Sequence, residues 1–472
     1  MRIVFCFILG CLPHFLFAQS ILPPSQIIVS DSALSHLVAA VKIPTISYQE
    51  DSVSNPKAFE DFYNLLVKNF PLVFNHLKCE RFPTNSILLK WEGTSSSLKP
   101  IMYLAHQDVV PVEDQNIKWI YPPFSAQIDS GYVHGRGTMD DKGSLLGLLE
   151  ATEYLLKKDF KPNRTIYFAF GSDEEIGGTG AKEMAEWLLK KNIQFEYILD
   201  EGGAIGINLI QGIDKPIALV GIAEKGYVSI QLEVNEEGGH SSMPPEHTAI
   251  GILSTAITKL EAQPFPAKYD GATKGLFDCL APEMSFSKRF VFKNSWMFSS
   301  LIMRKLAKTN ATNATIRTTT AVTVFKAGEK DNVLPNQAKA IVNFRTIPGE
   351  TMDDVMKKVK YIINDKRIKR NFIGNQYNAS PISDVNSVGY KLISKTVNGI
   401  FPTAIVAPYL ILGITDSRHY SKLCNNIFRF VPLTVTNNDL KRMHGINERI
   451  AIEDYYRLIE FYATMIENSN NY

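Results

Sequence analysis

Gly135-Arg136-Gly137-Thr138-Met139-Asp140-Asp141-Lys142-Gly143 decides how the chain is read. It stands where a strand pattern gives way to a helix pattern, and its glycines keep open a turn that carries two adjacent carboxylates. Alone, an Asp pair in such a turn is an ordinary helix cap or Asx-turn. Other acidic and imidazole groups arrive in the same manner. His106-Gln107-Asp108 closes an apolar strand pattern, and Asp173-Glu174-Glu175, Asp200-Glu201 and His444-Gly445-Ile446-Asn447-Glu448 each follow an apolar run or open a turn. Two imidazoles and several carboxylates, delivered separately to strand ends, form the donor set of a paired divalent-metal site.

Each member has a plainer reading. A lone His at a strand end is usually a hydrogen-bonded structural residue. Asp108 lies two positions on, so on the same side of an extended segment, where a carboxylate orients a ligating imidazole. Asp140 offers two oxygens and so can bridge two ions, although a capping Asp accounts for it equally. Glu174 and Glu175 read either as a solvated helix start or as a metal ligand beside a free general base. Asp200 and His444 supply the remaining positions.

Outward from this core, strands are expected over Ser86 to Trp91, Ile101 to Ala105, Thr165 to Phe170 and Phe195 to Leu199, and a hairpin over Ile128 to Val133. Helical spacing marks Ser32 to Val41, Ala58 to Phe70, Ser144 to Lys158 and Ala181 to Lys190. Strands alternating with helices indicate an α/β sheet whose ligands collect at the carboxyl ends of the strands. Near Ala223 the texture changes. Strands over Tyr227 to Val234, Ala321 to Phe325 and Ala338 to Thr346, with helices over Thr248 to Leu260 and Met352 to Ile363, indicate a smaller inserted α+β domain. The expected division is a signal segment 1–18, catalytic parts 19–222 and 381–472, and an inserted domain 223–380. The stretch from Gln263 to Thr320 shows no clean period, and its apolar residues around Phe290 to Leu306 suit either a greasy acyl group or core packing.

The 472 residues are 45% hydrophobic and 21% charged, ordinary for a globular protein. A formal net charge of +2 gives no reason to expect nucleic acid or an anionic membrane as partner. Arg2 followed by an apolar run to Phe17 reads as an export signal cleaved near Ala18; Ile8-Leu9-Gly10-Cys11 offers the rival reading of a lipid anchor at Cys11. Cys79, Cys279 and Cys424 are too few and too scattered for a disulfide framework or thiolate metal ligands. Asn163, Asn310 and Asn313 head glycosylation triplets.

Taken together, these motifs, with Gly239-His240-Ser241-Ser242 and Thr415-Asp416-Ser417-Arg418-His419-Tyr420, resemble the aminoacylase and carboxypeptidase S family of di-zinc metallohydrolases, in its carboxypeptidase S-like branch. The resemblance runs from about Ser32 to the C-terminus and implies a zinc-peptidase-like catalytic domain with an inserted lid or dimerisation domain. It implies two Zn²⁺ ions, replaceable by Co²⁺ or Mn²⁺, one held by His106 and Asp200 and the other by Glu175 and His444. Asp140 would bridge them, Asp108 would buttress His106, and the Asp140–Asp141 peptide would be cis. Glu174 would be the general base and His240 would donate to the carbonyl oxygen. Arg345 matches the position that grips a substrate carboxylate; Asn332 matches a further site motif, and Arg418 is a second carboxylate candidate. Ile414 departs from the family pattern, which has a glycine there. The implied activity is cleavage of an amide bond beside a free α-carboxylate, in a short peptide or in an N-acyl amino acid. A metal-stabilised scaffold is the rival from another class, and Glu174, which such a site does not need, speaks against it.

Overall fold

Ile101–His106 is the strand around which the larger sheet is laid, buried along its whole length. Such a run suits a parallel strand covered on both faces. Tyr103 and Ala105 enter one core, with the helices Asp31–Val41, Pro56–Asn69, Lys142–Lys157 and Ile452–Asn468. Met102 and Leu104 enter the other, with Met184 and Leu188 of the helix Thr179–Lys190. This is the period-two alternation of a strand. Ile101–His106 pairs in parallel with Ile166–Gly171 and Ile198–Asp200, and Ile198–Asp200 with Ile427–Arg429. The register sets His106 opposite Gly171. Carboxyl-terminal strand ends therefore share one edge, and the acidic motifs follow directly from it. Among the described residues the sheet has ten strands, with antiparallel members at Lys78–Arg81 and Ile87–Trp91 on one side. The molecule is thus α/β, described by a computed structural model over residues 29–49, 55–112 and 118–472. The expected signal segment, with Cys6 and Cys11, lies outside these residues.

A second sheet of four antiparallel strands runs in the order Thr319–Ala327, Gln337–Arg345, Val228–Asn235 and Ile368–Phe372. Burial alternates strictly along Gln337–Arg345, because only one face is covered. The helices Ala249–Ala262 and Met352–Ile363 cover it and share its separate core.

The stretch without a clean period contains four short helices, Gly271–Leu280, Phe286–Lys293, Ser295–Leu306 and Asn310–Ile316. Leu276, Phe277, Leu280, Ile302 and Ile316 pack with Ile217 and Ala407 of the larger sheet rather than with the four-stranded one. Among the described residues no helix is long and apolar enough to cross a membrane. Cys79, Cys279 and Cys424 are free thiols.

Candidate metal centre

The centre is assembled at the carboxyl edge of the larger sheet. His106 ends its strand with the ring buried; the Asp108 carbonyl oxygen lies 3.0 Å from Nδ1, which leaves Nε2 to Asp140 Oδ1 at 2.9 Å. The second oxygen of Asp140 lies 3.0 Å from His444 Nε2, and Glu175 Oε2 lies 3.2 Å from the same nitrogen. A single carboxylate thus stands between two imidazoles, the arrangement a bridging ligand needs. His106, Asp140 and Glu175 place ligand atoms within 4.8 Å of one another. Glu175 Oε1 is buried without a hydrogen-bond partner, so the nitrogen and oxygen donors here fit a divalent cation. The Asp140–Asp141 peptide is cis.

Asp108 is a hub rather than a single buttress. Its side-chain oxygens accept from the backbone N–H groups of Glu174 and Glu175, at 3.1 and 3.2 Å, and from the Ser47 hydroxyl at 2.6 Å. One carboxylate therefore fixes both the His106 strand end and the short 3₁₀ turn Glu174–Ile176. Asp200 lies outside the three-residue group. It is buried at its strand end, with its oxygens accepting from the N–H groups of Glu201 and Ser417 at 2.9 and 2.8 Å.

The charges in this centre perturb one another. Burial opposes ionisation of Asp140, yet the hydrogen bonds from His106 and His444 hold its carboxyl below the usual range. His444 is pushed up to about 10 by Asp140 and Glu175. Burial raises the Glu174 carboxyl well above its ordinary value, reinforced by Asp416 and Glu175 and opposed by His106 and Arg418. A shift in this direction brings the carboxyl nearer the range a general acid–base group needs.

Three features carry no role in the sequence reading. Arg136 Nη1 donates to Glu448 Oε2 at 2.6 Å, both side chains buried, while Nη2 donates to the carbonyls of His444 and Gly445 at 3.3 and 2.8 Å. Glu448 Oε1 accepts the N–H groups of Met139 and Asp140 at 2.9 and 3.3 Å. The pair clamps the His444 loop to the Asp140 loop, with His444 itself at φ +58°. The signal was available: the two central motifs carry opposite charges close to Asp140 and His444. Asp416 is the third feature, buried with neither oxygen hydrogen-bonded and its carboxyl raised to about 8 by burial. A Cβ at Gly171 would meet Asp416 Oδ2 at 2.2 Å, and one at Gly178 would meet Oδ1 at 2.1 Å. Those two glycines are spaces for this carboxylate.

Arg418 lies beside the centre rather than free in a pocket. Its Nη1 donates to the Thr415 carbonyl at 2.6 Å and sits 3.7 Å from Glu174 Oε1, with the guanidinium over the Tyr377 ring. His240 and Asn332 meet on a two-stranded ribbon of Gly239–His240 with Val333–Leu334. His240 Nδ1 lies 2.8 Å from the Ser242 hydroxyl and accepts the Ser242 N–H at 3.2 Å, an arrangement that suits a proton on Nε2. Neither side chain hydrogen-bonds the metal-binding group among the described residues. Arg345 ends its strand with the guanidinium 4.6 Å from the Tyr227 ring centre and Nη1 buried without a partner.

Imidazole and carboxylate donors converging at the carboxyl edge of a parallel sheet, beside a half-buried carboxyl whose ionisation its surroundings oppose, define a metal-dependent hydrolase. The sequence pattern of peptidase family M20/M25/M40 matches residues 102–468, and the chain belongs to this metal-dependent family. It is 43% identical to the probable carboxypeptidase S-like 2 of Dictyostelium discoideum, over 94% of this chain and 86% of that protein. It is 41% identical to the N-fatty-acyl-amino acid synthase/hydrolase of Xenopus tropicalis, over 92% of this chain and 85% of the other. An M20 family metallo-carboxypeptidase from Sulfolobus solfataricus shares the fold, with a TM-score of 0.69 at 19% identity over 94% of this chain and all of that one. Family, α/β fold and metallohydrolase class thus agree with the resemblance carried by the motifs.

Proposed function

We propose that this metallohydrolase cleaves an amide bond next to a free α-carboxylate. Arg345 carries the reading: a buried guanidinium nitrogen without a partner, beside Tyr227, is what a substrate carboxylate would satisfy through a two-pronged contact. His106 with Asp200 would hold one Zn²⁺ and Glu175 with His444 the other, Asp140 lying between them and Asp108 positioning His106. Bound there, the ions would polarise the scissile carbonyl and lower the pKa of water. Glu174 takes a proton from the attacking water and passes it to the leaving nitrogen, as its raised carboxyl pKa permits. Arg418, 3.7 Å away, steadies Glu174 when it is ionised. His240 supplies the hydrogen bond to the carbonyl oxygen through Nε2. The segment 1–18 supports an exported enzyme.

On the acyl side, an apolar cavity of about 400 Å³ supports an N-acyl amino acid over a peptide. Val110, Pro111, Val112, Trp119 and Ile446 line it with Arg136, beside His444. These mostly apolar walls suit an acyl chain better than a peptide backbone, which needs a partner for each polar group. The test is a matched panel of dipeptides, N-acetyl and long-chain N-acyl amino acids, with a chelated control. Chelator-sensitive turnover that rises with acyl length supports this reading; preference for dipeptides makes the enzyme a peptidase. Equal turnover of substrates lacking the carboxylate removes the role given to Arg345.

A further inference from the structure

The helices Phe286–Lys293 and Ser295–Leu306 present large apolar side chains to solvent on a scale unlike the rest of the molecule. Phe286 and Trp296 are 83% and 81% exposed, and Phe290, Met297 and Leu301 are exposed as well. Phe286 and Phe290 are four residues apart, as are Met297 and Leu301, so each pair shares a helix face. Phe290 meets Phe298 edge to face at 5.8 Å, which joins the two helices. Their opposite sides are anchored: Phe292 stacks on Phe277 at 4.6 Å, and Ile302 and Leu306 enter the core against the larger sheet. The exposed side chains are therefore held out by a seated hairpin, not by a frayed one.

The same stretch is cationic. Lys288, Arg289, Lys293, Arg304, Lys305 and Lys308 are all exposed, and no Asp or Glu occurs from Met284 to Gly328. The chain-wide charge of +2 conceals this concentration. Apolar side chains including Trp, flanked by Lys and Arg, are the composition of a helix that lies in a lipid interface. A second copy of the chain is a poor occupant, because a two-fold contact through this face would set its cations against themselves.

We propose that these two helices form a peripheral docking surface for anionic lipid bilayers, with Phe286, Phe290, Trp296 and Met297 entering the interface and the basic residues facing the headgroups. The site is independent of the substrate reading. The test is cosedimentation of the full chain with vesicles of phosphatidylcholine alone and with phosphatidylserine added. Wild type binds the phosphatidylserine vesicles, and added salt weakens binding. Phe286→Ser/Phe290→Ser/Trp296→Ser, and separately Lys288→Glu/Lys293→Glu/Lys305→Glu, each lower the partition coefficient roughly tenfold or more. Both variants retain wild-type hydrolysis of a water-soluble substrate, which shows that they fold. Absence of wild-type binding, or undiminished binding by the apolar variant, overturns the proposal. So does a concentration-dependent wild-type dimer that the apolar variant dissociates, since it assigns the face to a second copy.

Discussion

Replacing Glu448 tests whether the metal centre is positioned by the clamp behind it. The carboxylate is fully buried and serves three donors: Arg136 Nη1 and the N–H groups of Met139 and Asp140. In Glu448→Ala the Arg136 charge is left buried without its partner, a loss of about 3–5 kcal/mol. Two buried N–H groups lose their acceptor at about 1–3 kcal/mol each, partly recovered by water in the space created. Glu448→Gln keeps an acceptor for those N–H groups and removes only the charge, so it should fall well short of the Ala variant. Because the clamp joins the loops bearing Asp140 and His444, metal affinity should drop with stability, by roughly 10–100-fold as for other groups that orient ligands. The assay combines urea midpoints with metal content after dialysis against a graded chelator. Arg136→Leu/Glu448→Leu should cost less than the sum of its single changes, because neither charge is then stranded. Wild-type metal retention in Glu448→Ala, or strict additivity in the double variant, would refute the clamp.

Glu174→Gln should cut turnover by ~10²–10⁴-fold or more while metal content stays at the wild-type level, since the carboxyl is assigned to proton transfer and not to ligation. Gly178→Ala should lower both stability and turnover, because φ is +64° there and the new methyl meets Asp416; a melting temperature equal to wild type would show that the glycine is not a space for that carboxylate. Lys225 is held down to about 7 by burial, against an unfolded value of about 10.4, so folding discharges it between those limits. That cost is absent above the unfolded value and grows as pH falls to about 7. Lys225→Met gives up the Nζ hydrogen bonds to the Ala314 and Arg317 carbonyls, so its deficit against wild type should be smallest near pH 7 and should widen as pH approaches about 10, measured by urea midpoints; a pH-independent difference would refute the burial cost. Chelation should lower the thermal midpoint and readdition of Zn²⁺ restore it, by the linkage of binding to folding.

The buried parallel strands were legible because Ile101 to His106 is apolar without interruption, and strand pairing then carried His106, Glu175 and Asp200 to one edge. The half-covered sheet was legible for the opposite reason, since Gln337–Arg345 alternates strictly. What escaped lay in short helices. Phe286–Lys293 has no buried residue, so its apolar positions trace no core-facing stripe. Asp416 escaped because its surroundings come from distant parts of the chain: its oxygens fill the space where Cβ atoms at Gly171 and Gly178 would lie, and those read as turn glycines until the carboxylate is set against them.

The acidic residues also say why the centre needs cations. Asp140, Asp141, Glu174, Glu175, Asp200, Glu201 and Asp416 converge at one sheet edge, facing His106, His444 and Arg418. Burial raises the carboxyls of Asp141, Glu174, Glu175, Asp200, Glu201 and Asp416 alike. Left to the protein alone, burial works against the ionised form of these carboxyls, which is the form a metal ligand must take. Divalent ions reverse that balance by supplying the missing positive charge where the carboxylates are densest. On the proposed mechanism Glu174, with Arg418 as its nearby cation and the Asp416 carboxyl as its neighbour, is the group left to exchange a proton rather than to bind a metal.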